Sequence, residues 1–164
     1  MDDRDDGSRV SRVPTIDDLV RLCRHLNEQN VEYVVIGGFA VIHHGYLRAT
    51  ADIDLLVQKK QANVEKIKTA MGYLEDQAAR DLLPDDLSKY TVVRVADEIV
   101  VDLMAKACGH SFEDLRSQIE EVELQGVRIP YLTAAGLLKT KAGIRPKDQQ
   151  DRAYLERLLK SKPK

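Results

Sequence analysis

Residues 37–57 read GGFAVIHHGYLRATADIDLLV, with a glycine pair fourteen residues ahead of two aspartates, Asp52 and Asp54, that open an apolar run. In a β-strand, side chains at i and i+2 point to the same face, so these aspartates sit roughly 7 Å apart along the backbone and their carboxylates can converge further. That spacing suits one divalent cation, or two. The glycine pair before a helix lets backbone amides approach a phosphate, and the helix N-terminus favours the negative charge. Together these features describe a site for a nucleoside triphosphate with its magnesium.

The rest of the chain sets the frame. At 164 residues it fits one domain with a substantial core, and its 43% hydrophobic and 32% charged residues are ordinary for a globular protein. A net charge of -2 argues against a surface generally coated in nucleic acid, while leaving room for a local basic patch. No apolar run approaches the roughly 20 residues that span a bilayer. The opening MDDRDDGSRV is acidic and polar, unlike a secretory signal. A cytoplasmic protein without membrane contact is expected. Cys23 and Cys108 lack a CxxC pattern, so they read as buried structural thiols rather than a disulfide or zinc site.

Hydrophobic periodicity places the stretch among its neighbours. Residues 1–13 read as a flexible N-terminal arm, and 14–164 as a single domain. Thr15 or Asp17 caps a helix ending near Asn30, and Glu32 to Ile36 is a buried strand. The glycine pair breaks that strand, and Phe39 to His44 forms a short helix. A loop follows, then a second strand over 53–58 and a helix over 60–71. Residues 75–89 read as a loop. Tyr90 to Val95 and Ile99 to Met104 form a hairpin around Ala96-Asp97-Glu98, and Val122 to Ile129 forms another around Gln125-Gly126. Thr133 caps a helix running to about Ala142 with Gly143 as its stop, and Pro146 opens a last helix through Leu159. This order predicts an α+β domain with an α/β core: a mixed β-sheet flanked by helices, closed by a C-terminal helical hairpin over 131–160.

Taken alone, an Asp-x-Asp reads as a solvated pair at a strand entrance. Two further features change that. The strand, glycine pair and short helix upstream bring a helix N-terminus near the next strand. Downstream, Asp102 lies inside the apolar Val101-Asp102-Leu103 and reaches the same metals if its strand neighbours the 53–58 strand. Three carboxylates on neighbouring strands meet the needs of two-metal phosphoryl transfer. Arg48 can pair with a phosphate or with one of the aspartates before metal arrives. Thr50 reads as a hydrogen-bonding loop residue or a nucleotide contact. His43 and His44, adjacent on a helix, point about 100° apart and so do not easily share one ion. The aromatic residues do not interleave with basic ones, which gives no base-stacking surface of the usual kind.

The glycine pair, the Arg48-Ala-Thr50-Ala-Asp52-Ile-Asp54-Leu block and the hydrophobic-Asp102-hydrophobic segment resemble the nucleotidyltransferase superfamily of the DNA polymerase β type. More narrowly, they look like its small bacterial AbiEii/AbiGii toxin-like members. The resemblance covers residues 31–104. It implies that Gly37 and Gly38 sit on the nucleotide phosphates. It also implies that Asp52, Asp54 and Asp102 bind the metals and form the catalytic set. The segment from Leu132 to Asp151 is similar to the tail of the same members, in which a lysine and an aspartate face the nucleotide. By position these are Lys141 and Asp148, with Asp151 as an alternate. Both also read as helix-end surface charges that complement the helix dipole.

The resemblance implies a magnesium-dependent nucleotidyltransferase, with manganese as an alternative ion and an NTP as co-substrate. The acceptor is a tRNA or other RNA, a partner protein or a small molecule such as an aminoglycoside or lincosamide, possible settings including a toxin–antitoxin pair. The competing expectation is a non-catalytic nucleotide-binding or antitoxin-type module of the same fold. Oligomeric state is not encoded in any feature read here.

Overall fold

The computed structural model describes residues 10–141 and 145–161. Thr15 starts helix α1 (Ile16–Glu28) through a capping box: its hydroxyl accepts from the Asp18 amide while the Asp18 carboxylate accepts from the Thr15 amide. The apolar stripe Leu19, Leu22, Cys23 and Leu26 is fully buried, whereas Ile16 stays largely exposed. Residues 1–9 lie outside the described residues. Of the next few, Ser11 donates to the Asp97 carbonyl at 2.6 Å and Arg12 forks onto Asp18 at 2.6 and 2.7 Å.

Strand β1 (Tyr33–Ile36) runs straight into helix α2 (Gly37–His43), so the glycine pair lies inside the first turn rather than before it. Then come β2 (Ile53–Val57) and α3 (Gln61–Ala70). The buried Asn63 accepts from the Glu32 amide and donates to the carbonyls of Glu32 and Gln58, which ties the start of β1 to the end of β2.

The segment expected as a loop, 75–89, is a packed excursion. It holds a 3-10 turn over Ala78–Asp81 and the short helix α4 (Asp86–Lys89), and buries Ala79, Leu82 and Leu87. Its anchor is Asp97, buried at the tip of the next hairpin, whose carboxylate accepts from the amides of Asp76, Ala78 and Glu98. A polar sequence can pack when a single buried carboxylate satisfies the backbone donors.

The hairpin is β3 (Val93–Ala96) and β4 (Val100–Met104), followed by a two-residue ladder of β5 (Lys106–Ala107) and β6 (His110–Ser111) that the sequence did not signal. Strands β7 (Ile119–Leu124) and β8 (Val127–Leu132) extend further than expected. Their turn residues Gln125 and Gly126 both have positive φ, which matches the twist of a tight hairpin.

Thr133 caps α5 (Ala134–Leu138), which ends four residues short of the expected Ala142; Gly143, the expected stop, lies outside the described residues. Helix α6 (Pro146–Ser161) packs on α5.

Six strands form one mixed sheet in the order β3-β4-β2-β1-β8-β7. Strands β2 and β4 are parallel neighbours, as are β1 and β8; the other pairs are antiparallel. β1 is buried along its whole length, as a strand covered on both faces must be. Helices α1 and α3 pack together, and α2, α5 and α6 form a second group. The expected mixed-sheet α+β architecture is present. No helix among the described residues is long and apolar enough to cross a membrane.

Candidate active site

Strand register builds the site. Ile36 on β1 pairs with Asp54 on β2, Asp54 with Asp102 on β4, and Asp102 with Arg94 on β3. One row across four strands therefore carries two carboxylates and a guanidinium, and Asp52 stands just before β2 beside it. Oxygens of Asp52, Asp54 and Asp102 lie within 4.8 Å of one another. Crowding shows in their acidity. Burial first, then the charges of Asp52 and Asp102, push the Asp54 carboxyl up from 3.8 to about 7. Burial and the neighbouring Asp102 also raise Asp52.

Gly37 makes this approach possible. Its φ of +71° is a conformation that L side chains rarely adopt, and a Cβ there would run into the Asp54 carboxylate. A Cβ at Gly38 would strike the Thr50 side chain and come within 3.3 Å of Arg48. The two glycines thus allow the chain after β1 to lie directly against the acidic row. Thr50 donates to the Asp52 carbonyl at 3.1 Å, so it fixes the loop that delivers the first aspartate.

The basic wall comes from the C-terminal part. Asp148, Asp151 and Leu155 form the buried face of α6. Asp151 is completely buried, accepting a two-pronged bond from Arg48 (2.8 and 2.9 Å) and lying 3.0 Å from the Lys141 ammonium. Arg48 is thus committed to Asp151, across 103 residues, rather than to Asp52 or Asp54. Lys141 and Asp148 are each only 6% exposed, so the surface-charge reading of both is overturned. Burial alone would raise Asp148, but hydrogen bonds and charge from Arg145 and Lys141 outweigh it and hold the carboxyl below its usual range. Arg48, Lys141, Arg145 and Asp148 line one cleft of about 370 Å³ together with the three aspartates and the glycine pair, and Lys106 and Lys147 line it too.

Arg94 is the residue that sequence reading missed. It donates from Nε and Nη2 to Asp102 and from Nη2 to Asp52, each at 2.9 Å. The observed turn is Asp97-Glu98-Ile99, closed by the Ala96–Val100 pair, which sets Arg94 opposite Asp102; counting back from the expected Ala96-Asp97-Glu98 turn places it opposite Val100 instead.

Two further expectations change. Cys23 is buried, but Cys108 is exposed at the cleft. His43 and His44 do converge, with Glu120, their ligand atoms lying within 4.8 Å of one another although the two residues are adjacent at the end of α2. The ring nitrogen of His44 nearest Glu120 is already hydrogen-bonded to the Leu132 carbonyl at 2.8 Å, and His43 is stacked on Tyr131. This makes them packing and hydrogen-bonding residues first.

With the geometry in hand, comparison with known proteins is direct. The family model of aminoglycoside-2''-adenylyltransferase matches residues 18–155. The chain belongs to this family. Membership in the aminoglycoside-2''-adenylyltransferase family makes it a nucleotidyltransferase enzyme, in the superfamily that the motifs indicated; the match does not extend to the narrower AbiEii/AbiGii resemblance. A crystal structure from Thermotoga maritima, named as a candidate nucleotidyltransferase, shares the fold: the TM-score is 0.52 at 17% identity, over 95% of this chain and 93% of that one. No curated protein matches the chain significantly.

Proposed function

We propose that the protein is a magnesium-dependent enzyme that moves a nucleoside monophosphate from an NTP to an acceptor, with its site at Asp52, Asp54 and Asp102. The observation carrying this reading is the convergence of those three carboxylates within 4.8 Å, with Asp54 pressed against a glycine whose Cβ would collide with it. An all-oxygen donor set fits magnesium or manganese rather than zinc. Bound to these carboxylates, divalent cations supply charge neutralisation and activation of the attacking oxygen.

The chain's own groups do the positioning. The backbone at Gly37 and Gly38 lets the triphosphate lie against the start of α2. Lys141 and Arg48, both oriented by buried Asp151, balance phosphate charge. Asp102 receives or directs the acceptor's proton. The acceptor oxygen bonds to the α-phosphorus, the bridging P–O bond breaks, and its electron pair leaves with pyrophosphate. Positioning and charge stabilisation carry most of the rate.

The acceptor is an RNA end, a protein or a small molecule. The family's name points to an aminoglycoside. Among the described cleft residues, though, every carboxylate belongs to the triad or is the cation-paired Asp148, while Arg94, Lys106, Arg145 and Lys147 line the same cleft. That balance favours an anionic acceptor such as RNA over a polycation, in a toxin–antitoxin setting as one option and in the cytoplasm, where NTPs are found. Isothermal titration of magnesium–NTP is expected to show binding that disappears in Asp52→Ala/Asp54→Ala; unchanged binding in the double variant removes the site assignment. Incubation with each α-labelled NTP and either total RNA, protein extract or an aminoglycoside identifies base and acceptor together.

A further inference from the structure

The carboxylate cluster already has a cation. Arg94 bridges two of its three members, and a single nitrogen, Nη2, touches Oδ2 of both Asp52 and Asp102 at 2.9 Å. An ion shared by the two aspartates competes with the guanidinium for their carboxylate oxygens. Asp54, the third member, has no contact with the guanidinium of comparable length. Register makes the arrangement a built feature rather than a chance of a long side chain: Arg94 and Asp102 are cross-strand partners on β3 and β4. The aspartates are largely covered (Asp102 8%, Asp52 24% exposed), whereas the Arg94 side chain is 59% exposed at the mouth of the cleft. Its stem can therefore swing outward without disturbing the core.

We propose that Arg94 is a resident counter-cation that keeps the metal position closed until nucleotide arrives, and so makes metal and NTP load together. This rests on the reading of Asp52, Asp54 and Asp102 as the metal site. Metal alone has to break three charge-assisted hydrogen bonds and leaves the guanidinium without an anion. A triphosphate entering with the metal brings new oxygens to the same cleft, to which Arg94 can turn. The two ligands then help each other by the free energy of releasing Arg94, and the coupling is reciprocal. Arg94 acts here on the loading of the site, as a positioning residue.

The test reads metal binding rather than turnover. Mn²⁺ is titrated by electron paramagnetic resonance into the full-length protein and into Arg94→Gln, Arg94→Lys and Arg94→Gln/Asp52→Asn/Asp54→Asn, with and without α,β-methylene-ATP. Wild type is expected to bind Mn²⁺ weakly alone and much more tightly with the nucleotide. In Arg94→Gln, binding of Mn²⁺ alone tightens by about tenfold and the gain from nucleotide shrinks correspondingly. Arg94→Lys falls between, because an ammonium lacks the fork that spans two carboxylates. Far-UV circular dichroism and melting midpoints verify that the variants are folded, which the exposure of Arg94 leads one to expect.

Equal or weaker Mn²⁺ affinity in Arg94→Gln overturns the proposal while leaving the metal site standing. Tight binding that survives in the triple variant means that the ion sits elsewhere and overturns both. An absence of Mn²⁺ binding in every protein does the same.

Discussion

At Gly37 the backbone and a carboxylate compete for the same space, and the missing Cβ lets both in. Gly37→Ala puts a methyl group into Asp54 and forces an L residue to φ +71°. The expected result is a loss of about 1–3 kcal/mol in urea unfolding, together with weakened magnesium–NTP binding in titration. Asp54 has a second consequence, through pH. Its carboxyl titrates at about 7 in the folded protein against 3.8 ordinarily. Between those values the folded chain holds a proton that the unfolded chain has lost, so stability from this group is complete below pH 3.8 and fades as pH rises through 7. Asp54→Asn should therefore raise the melting midpoint of the metal-free protein at pH 8, by roughly 1–3 kcal/mol of stability, and the difference should vanish towards pH 4 in calorimetry. A larger gain at low pH would contradict this assignment. Asp52, Asp54 and the glycine pair were legible in the sequence because their meaning is local: strand period and glycine geometry fix it. Arg94 was not, since its partner lies across a hairpin turn and only the register brings the pair together.

Among the elements, α6 matters beyond its length. Its inner face is two aspartates and a leucine, so its apolar pattern is weak and the sequence left Lys141 and Asp148 divided between site and surface. Charges become interior only when α6 docks, and no spacing rule announces that docking. Once docked, Asp151 is the clasp between the loop carrying Arg48 and the lysine at the end of the α5 segment. Asp151→Ala strips two buried cations of their shared anion and is expected to cost about 3–5 kcal/mol, read as a lower urea midpoint, with nucleotide affinity falling as well. Arg145→Gln, at an exposed side chain, should change stability by less than about 1 kcal/mol. The excursion over 75–89 was illegible for a related reason, because its packing depends on Asp97, one buried residue in a different element.

For the molecule as a whole, the sheet order explains why one short stretch was so informative. β1, α2 and β2 supply the centre of the sheet and β4 lies next to β2, so residues 31–104 contain the whole acidic row. The mixed sheet and both of its hairpins were legible; the parallel seat of β8 beside β1 and the small ladder of β5 and β6 were not, since those partners are set by tertiary packing. Ligand binding to a site that joins the sheet to the C-terminal helices should stabilise the whole fold. At a hundredfold excess of magnesium–NTP over Kd, linkage gives about 2.7 kcal/mol and an increase of roughly 5–10 °C in melting midpoint. Differential scanning fluorimetry should find that increase in wild type and none in Asp52→Ala/Asp54→Ala.

The bond between Arg48 and Asp151 also orders events in time. The two residues are 103 positions apart, and the ribosome makes them in that sequence. A nascent chain that has completed the β-sheet already owns its three carboxylates, the glycine turn and Arg94, but neither Lys141 nor the buried anion that aims Arg48. Before α6 emerges and docks, the finished sheet by itself already pairs Arg94 with Asp52 and Asp102. Under the proposal made for Arg94, a growing chain would then be kept from loading metal before the other half of the cleft exists.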